Sequence, residues 1–319
     1  MKMLRPWVAA VAAAFVTAAF GQDFPTQPIK LLVGFSPGGG LDISCRHWAQ
    51  RLSSRIGQQV VVENRPGAAG EIAVKQAIQA KPDGYTLVCL SGSNTISSSK
   101  PGAPFDIRTD VAPVIQMNKF TFVLYVNPKL PVKTLQELVA YSKANPGKLN
   151  YGSVGTGSTP HLSFEYLREK TGLSAVHVPY KGTAQTAAAA IAGDIDIGLD
   201  AIAAVKPHFD AGTLRPIAVV SAKRTPMLPN VPGMQESGVA GLDIESFSGI
   251  AAPAKTPPAV IERLTKQVKT IVDSDAYKKK VEEQGAFAAY MDPPALARFV
   301  DQETAAWAKV IKDGNIKAE

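Results

Sequence analysis

The sequence lacks the motifs that mark several common catalytic sites. No Gly-Lys-Ser/Thr follows the glycines at Gly38–Gly40, which excludes a nucleoside-triphosphate P-loop. The dinucleotide-binding spacing G-x-G-x-x-G is also missing there, because the residue three positions after Gly40 is Ile43. No H-E-x-x-H motif occurs, and the four histidines show no metal-ligand spacing. The sequence therefore predicts no cofactor, no metal site and no enzymatic activity.

Charge is sparse as well, since charged residues make up 19% of the 319-residue chain. Lys2 and Arg5 precede an apolar run, Trp7–Phe20, that is too short to span a bilayer and is typical of a secretory signal peptide. We expect cleavage after Gly21, with cleavage after Ala19 as the alternative. The mature chain then carries 32 basic and 27 acidic residues without a dense Lys/Arg stripe, which argues against nucleic-acid binding. A protein exported to a bacterial periplasm is expected.

Cysteine is nearly absent, with Cys45 and Cys89 as the two examples. An exported protein can form disulfides, and both residues are predicted near the same edge of one sheet. Two cysteines alone set no geometry, however, and they are not arranged as C-x-x-C. We therefore favour two buried free thiols over a disulfide.

The stretch around which the chain is organised is a strand, a glycine loop and a helix. Ile29–Phe35 is an apolar run of strand length, and Gly38–Gly40 separates it from an amphipathic helical pattern that reaches Leu52. Backbone N–H groups at the start of such a helix point at one spot and favour an anion there. The sequence therefore predicts an anion-binding loop, although a turn that binds nothing is the alternative.

A second unit of the same kind lies in the middle of the chain. Leu149–Val154 is a predicted strand, Gly155–Gly157 is a glycine loop, and a helix follows in which Ser158 or Thr159 can cap and Pro160 is tolerated. Repeated strand–loop–helix units predict parallel sheets with right-handed crossovers.

The expected fold is α/β, with two doubly wound domains and a ligand cleft between them at the carboxyl ends of the strands. Residues 1–21 are the predicted signal peptide. Residues 22–121 and 225–319 are predicted to form one lobe, and residues 122–224 the other. The segment Ser91–Pro104 is predicted to be a loop, and the chain after Thr256 to be helical.

Several segments resemble, in order, the substrate-binding receptors of tripartite tricarboxylate transporters, the Bug (TctC-like) family. The matching segments are PIKLLVGFSPGGGLD (Pro28–Asp42), GQQVVVENRPGAAG (Gly57–Gly70), KPDGYTL (Lys81–Leu87), FDIRTDVAPV (Phe105–Val114), NYGSVGTGSTPHL (Asn150–Leu162), HVPYKG (His177–Gly182) and SAKR (Ser221–Arg224).

This resemblance implies a two-lobed type II periplasmic binding protein fold. It also implies capture of a carboxylated solute, such as a di- or tricarboxylate, an acidic amino acid or an aromatic acid, and its delivery to a two-component membrane permease. A monomer is expected. The implied ligand-binding positions are Phe35, Ser36, Gly38, Gly39, Asp42, Ser91, Ser93, Ser153, Gly157, Ser158, His161, Tyr180 and Asp200.

Several of these residues have a structural role as the alternative. Ser153 and Ser158 can bind a carboxylate or cap the following helix, and the two roles are compatible. His161, with an expected pKa near 6.5, either reaches the cleft or is structural. Asp42 and Asp200 either brace their loops or accept a hydrogen bond from a ligand amino or hydroxyl group.

Two other functions remain as alternatives. A sensor that presents its loaded form to a membrane signalling partner would bind the same ligands. An exported hydrolase is less favoured, because Ser158 and His161 lie three residues apart on one helix and have no visible orienting partner. Tyr180 is expected to form a wall of the cleft, where its ring can pack on a ligand.

Overall fold

The computed structural model describes residues 24–283 and 286–313. The predicted signal peptide, residues 1–21, lies outside the described residues. Within the described part, no helix combines the length and the apolar character needed to cross a membrane.

Ten strands and ten α-helices make up the described part of the chain. The strands are β1 (Ile29–Val33), β2 (Val60–Asn64), β3 (Thr86–Leu90), β4 (Val111–Val126), β5 (Asn150–Ser153), β6 (Val176–Pro179), β7 (Ile197–Ala201), β8 (Arg215–Val219), β9 (Glu245–Pro253) and β10 (Ala286–Met291). The helices are α1 (Gly40–Ile56), α2 (Glu71–Ile78), α3 (Gly92–Ser99), α4 (Leu135–Ala144), α5 (Thr159–Thr171), α6 (Thr183–Ala192), α7 (Ile202–Asp210), α8 (Pro258–Val272), α9 (Asp275–Glu283) and α10 (Pro293–Asp313).

The long strand β4 connects two sheet regions. Its residues up to Thr121 pair antiparallel with β9, and its residues from Phe122 onward pair antiparallel with β7 and β8. The first sheet region, which holds β1, β2, β3, β9 and β10, contains the parallel pairs of β1 with β2 and β3. The second sheet region, which holds β5 to β8, contains the parallel pairs of β5 with β6 and β7. The carboxyl ends of β1, β3, β5 and β7 therefore meet in one place.

Local sequence explains where the helices next to that place begin and end. Ser158 caps α5 by accepting a hydrogen bond from the His161 N–H at 3.4 Å, and Pro160 sits in the first turn. The same helix ends at Gly172, whose φ of +72° is a left-handed conformation that glycine adopts without a steric penalty.

The expectation of two free thiols is wrong, because Cys45 and Cys89 form a disulfide. Cys45 lies in α1 and Cys89 in β3, and α1 packs over the sheet with Trp48 and Leu52 buried in the core. This packing brings the two Cα atoms to 6.7 Å, which is within the range of a disulfide. The helix-on-sheet contact supplies the proximity that the spacing of two cysteines in the sequence does not.

Two predicted secondary-structure assignments are also wrong. The segment Ser91–Pro104 contains the helix α3, in which Ser91 and Asn94 form a capping box and the Thr95 hydroxyl donates to the Gly92 carbonyl at 2.7 Å. The chain after Thr256 is not helical throughout, because β10 pairs antiparallel with β4. In both places tertiary packing and side-chain bonds to the backbone override weak local propensity.

Candidate ligand-binding site

A cavity lies where the carboxyl ends of the parallel strands meet. Both sheet regions and the helices that follow their strands contribute to its walls. The lining residues are Phe35, Gly39, Gly40, Leu41, Ser91, Ser93, Phe120, Phe122, Val154, Pro160, Thr183, Asp200, Ala201 and Ser246. Of the residues implied by the resemblance, those that line the cavity are Phe35, Gly39, Ser91, Ser93 and Asp200.

The start of α1 presents backbone donors to this cavity. The first intrahelical bond runs from the Ile43 N–H to the Gly39 carbonyl at 2.9 Å. Among the described residues, no acceptor binds the N–H groups of Gly39, Gly40 and Leu41, and all three residues line the cavity. The positive end of a 17-residue helix adds to these donors. The arrangement suits an anionic group.

Asp42 braces the first glycine loop and does not line the cavity. Its carboxylate accepts hydrogen bonds from the Gly38 N–H at 2.9 Å and from the Asn64 side-chain amide at 2.7 Å. Arg46 pairs with it at 2.9 Å between Nε and Oδ2. Because Arg46 balances the charge of this buried carboxylate, the helix start remains favourable for an external anion.

The polar groups of the second glycine loop are occupied within the protein. The Gly157 N–H donates to His161 Nδ1 at 3.1 Å, and Ser153 Oγ lies 2.7 Å from His177 Nε2. Ser158 Oγ accepts the capping bond in α5. The residues of this loop and the start of α5 that line the cavity are Val154 and Pro160, and both are apolar. The structure thus places Ser153, Gly157, Ser158 and His161 behind the wall, where they fix the shape of the loop.

A stack of rings supports this loop. The rings of His161 and His177 lie 4.1 Å apart between centroids, and Tyr151 stacks on His177 at 4.8 Å. Burial lowers the pKa of His161 to about 3, helped by the charge His177 would carry, and lowers the pKa of His177 to about 4. The expectation of an ordinary pKa near 6.5 for His161 is therefore wrong, because a buried imidazole resists protonation. Both rings are neutral at pH 7.

Direct contacts join the two sides of the cavity. The Ser36 N–H donates to the Lys181 carbonyl at 3.0 Å, and the Thr159 N–H donates to Ser93 Oγ at 3.1 Å. The approach is so close at Gly40 that a Cβ there would lie 2.8 Å from the Cβ of Ala201. The structure therefore shows the two sides closed on one another.

Asp200 is a fully buried carboxyl group on the cavity wall. The Thr183 hydroxyl donates to its Oδ1 and the Tyr125 hydroxyl to its Oδ2, each at 2.8 Å. Burial raises its pKa to about 7, although these two hydrogen bonds act in the opposite direction. No Lys, Arg or His among the described residues is within hydrogen-bond or ion-pair distance of it. A buried acid without a cationic partner is typical of a functional site.

Some residues of the cavity wall were not predicted from the sequence. Phe120 and Phe122 lie two residues apart on β4, with ring centroids 5.6 Å apart, and this spacing places them on one face of the strand. The spacing of these two phenylalanines in the sequence could therefore have indicated that they share one face of β4. Ser246 comes from β9, far away in sequence, and accepts a hydrogen bond from the Gly92 N–H at 3.1 Å. No local pattern marks it.

Tyr180 is placed away from the cavity. Its ring packs with the apolar cluster of the second sheet region, and a Cβ built on Gly152 would lie 3.4 Å from Tyr180 Cε2. It is absent from the cavity wall.

The chain does contain a G-x-S-x-G pattern, Gly34–Gly38, which in hydrolases marks a nucleophilic serine. Here no histidine among the described residues lies within hydrogen-bond distance of the Ser36 hydroxyl. The helix begins at Gly40, four residues after the serine, so the sharp strand–Ser–helix turn is not formed. In the described ranges no group of three or more His, Cys, Asp or Glu side chains is arranged to hold a metal ion. The described part of the site therefore offers anion donors, and Ser36 has no histidine partner in it.

Comparison with known proteins gives a consistent match. The model of the tripartite tricarboxylate transporter family receptor, TctC, matches residues 44–316. Protein BugT of Bordetella pertussis is 32% identical over 311 residues, which covers 96% of this chain and 95% of BugT.

Solved structures match over nearly the whole chain as well. Rpa4515 of R. palustris, solved with adipate, has a TM-score of 0.87 at 34% identity, covering 92% of this chain and 99% of that one. The periplasmic binding protein BugD has a TM-score of 0.88 at 28% identity, covering 92% of this chain and 99% of that one.

Proposed function

Because this chain belongs to the tripartite tricarboxylate transporter receptor family, we propose that it captures a small organic carboxylate in the cavity and delivers it to a two-component membrane permease. The family is one of periplasmic solute receptors. The observation that carries the proposal is the set of unpaired N–H groups at Gly39–Leu41 on the cavity wall. The adipate bound to Rpa4515 supports a carboxylate as the ligand class.

Binding is coupled to closure of two lobes in this proposal. The lobes are residues 22–121 with 225–319, and residues 122–224. The change of partners along β4 between Thr121 and Phe122 supports this division. A carboxylate first meets the start of α1 in the open form, and the second lobe then covers it. The bonds from Ser36 to Lys181 and from Thr159 to Ser93 form at closure. The ligand favours closure through contacts present only in that form.

The predicted site residues divide into two roles. Phe35, Gly39, Ser91, Ser93 and Asp200 contact the solute, and Gly40, Leu41 and Ser246 join them. Except for Tyr180, the other predicted residues support the site: Ser36 joins the lobes, Gly38 and Asp42 hold the first loop, and Ser153, Gly157, Ser158 and His161 hold the second.

The rest of the proposal concerns the context in which the receptor acts. The protein is exported with cleavage near Gly21 and functions in the periplasm as a monomer without a cofactor. The permease recognises the closed form. A solute that is only bound and released requires no nucleophile.

Calorimetry of the mature protein tests this function. A panel of adipate, malate, benzoate and L-leucine is titrated at pH 7.5, and each compound that binds is matched with its amide. We expect at least one carboxylate to bind at a ratio of 1:1 and its amide to bind at least tenfold more weakly. Equal binding of acid and amide, or turnover of an ester, would contradict the proposal.

A further inference from the structure

The acid Asp200 lies unusually close to the anion-binding start of α1. A Cβ on Gly39 would be 3.5 Å from Thr183 Oγ1, and that hydroxyl donates to Asp200 at 2.8 Å. The next residue, Ala201, touches Gly40. The Thr183 hydroxyl therefore lies between the start of α1 and the buried carboxyl group of Asp200, and all three line the same cavity.

We infer that the solute is a zwitterion, a small α-amino acid with an uncharged apolar side chain, whose ammonium group binds at Asp200 while its carboxylate binds at the start of α1. This inference rests on the proposed carboxylate-receptor function. In an α-amino acid one carbon atom separates the two charged groups, which suits two subsites that are linked through one intervening residue, Thr183. The helix start favours the negative group and the buried acid the positive one.

The surroundings of Asp200 leave its charge for the ligand to balance. From β4 the Tyr125 hydroxyl faces it, and from α6 the Thr183 hydroxyl does. Both donate hydrogen bonds, but neither carries positive charge, and burial together with Asp200 raises the pKa of Tyr125. Each carboxylate oxygen can accept more than one hydrogen bond and accepts one from the protein, so each retains the capacity to accept another from an ammonium group. A ligand with a carboxylate but no ammonium group would place its negative charge beside that of Asp200, unless one of the two carboxylates took up a proton.

The remaining cavity wall selects the side chain. It is built from aromatic and aliphatic groups, and no Lys, Arg or His of the described residues lines it. The apolar wall residues are Phe35, Leu41, Phe120, Phe122, Val154 and Pro160. A second carboxylate on the ligand would find no positive partner there, and burying an unpaired charge is strongly unfavourable. A small apolar side chain fits the chemistry of this wall.

The test compares matched ligands on the wild-type protein by calorimetry at pH 7.5. Each amino acid is compared with the acid that lacks its amino group and with the amine that lacks its carboxylate. For L-leucine these are 4-methylpentanoate and 3-methylbutylamine, and for L-phenylalanine they are 3-phenylpropanoate and 2-phenylethylamine. Adipate is included as a dicarboxylate. We expect at least one amino acid to bind ten times more tightly than both of its partners and than adipate. A deaminated acid or adipate that binds as tightly as the amino acids overturns the inference.

Asp200→Asn tests the role of the acid itself. The variant is expected to bind the amino acid at least tenfold more weakly and the deaminated acid no more weakly than the wild type. Asp210→Asn removes the same charge from an exposed ion pair on α7 and should change neither affinity. Equal losses for the amino acid and the deaminated acid in Asp200→Asn would overturn the inference. The wild-type comparison decides the question if this variant fails to fold.

The outcomes also separate this inference from the proposed function. If adipate or the deaminated acids bind while the amino acids do not, the inference fails and the carboxylate-receptor function stands. If no compound carrying a carboxylate binds, both fail.

Discussion

A methyl group at Gly40 should hold the protein open and weaken ligand binding. The Cβ of Gly40→Ala would lie 2.8 Å from the Cβ of Ala201, whereas packed carbon atoms lie about 3.5–4.0 Å apart. Gly40 is the first residue of α1, so alanine fits its backbone conformation and the clash arises only on closure. Overpacking of this kind costs about 1–3 kcal/mol. If this cost falls on the closed form, affinity drops roughly 5- to 150-fold.

Calorimetry with the ligand identified for the wild type measures this drop. Ser54→Ala is the control, because it changes an exposed side chain of the same helix that does not line the cavity, and it should leave the affinity unchanged. Ala201→Gly in the Gly40→Ala background removes the opposing methyl and should restore most of the affinity. Wild-type affinity in Gly40→Ala, or no recovery in the double variant, would refute the closure geometry.

Three further predictions concern stability and closure. Wild-type His161 stays neutral to about pH 3 in the folded protein but takes up a proton near pH 6.5 in the unfolded chain, so acidification lowers the free energy of unfolding. When the pH falls from 6.5 to 5, the free energy of unfolding measured in urea should therefore drop by about 2 kcal/mol less in His161→Gln than in the wild type. Equal drops in the two proteins would contradict this. Replacing Cys45 and Cys89 by alanine opens a link across 44 residues and should lower the free energy of unfolding by about 2–4 kcal/mol, measured in urea; unchanged stability would count against the disulfide. Ser93→Ala leaves the Thr159 N–H without its acceptor in the closed form and should weaken binding of any ligand about tenfold by calorimetry; unaltered affinity would exclude that bond from closure.

The sequence was most informative where one short stretch contains a whole unit. The strand, glycine loop and helix from Ile29 to Leu52 are formed as predicted, because hydrophobic patterning and glycine placement act locally. The α/β fold and the family resemblance are confirmed, and relatives with known structures share the two-lobed fold.

What the sequence could not predict depends on contacts between distant segments. Ser246 enters the cavity through the pairing of β9 with β3 and β4, which no local pattern reveals. The serine-rich segment Gly92–Ser99 forms a helix because capping by Ser91 and packing outweigh the weak helix propensity of serine.

The second glycine loop shows a different limit. Its hydroxyls and His161 are of the right residue types for an anion site, yet they are hydrogen-bonded to other groups of the protein behind the wall. Residue type predicted a binding capacity, but it could not show whether a donor was already occupied. That distinction needs the distances between side chains.

The most direct test of the central claim is mass spectrometry of small molecules released by denaturing the mature protein after purification from its native periplasm under native conditions. We expect a single carboxylate-bearing compound in near-stoichiometric amount, and we expect Gly40→Ala purified in the same way to retain much less of it. A stoichiometric compound without a carboxylate, or equal retention by the wild type and Gly40→Ala, would contradict the account.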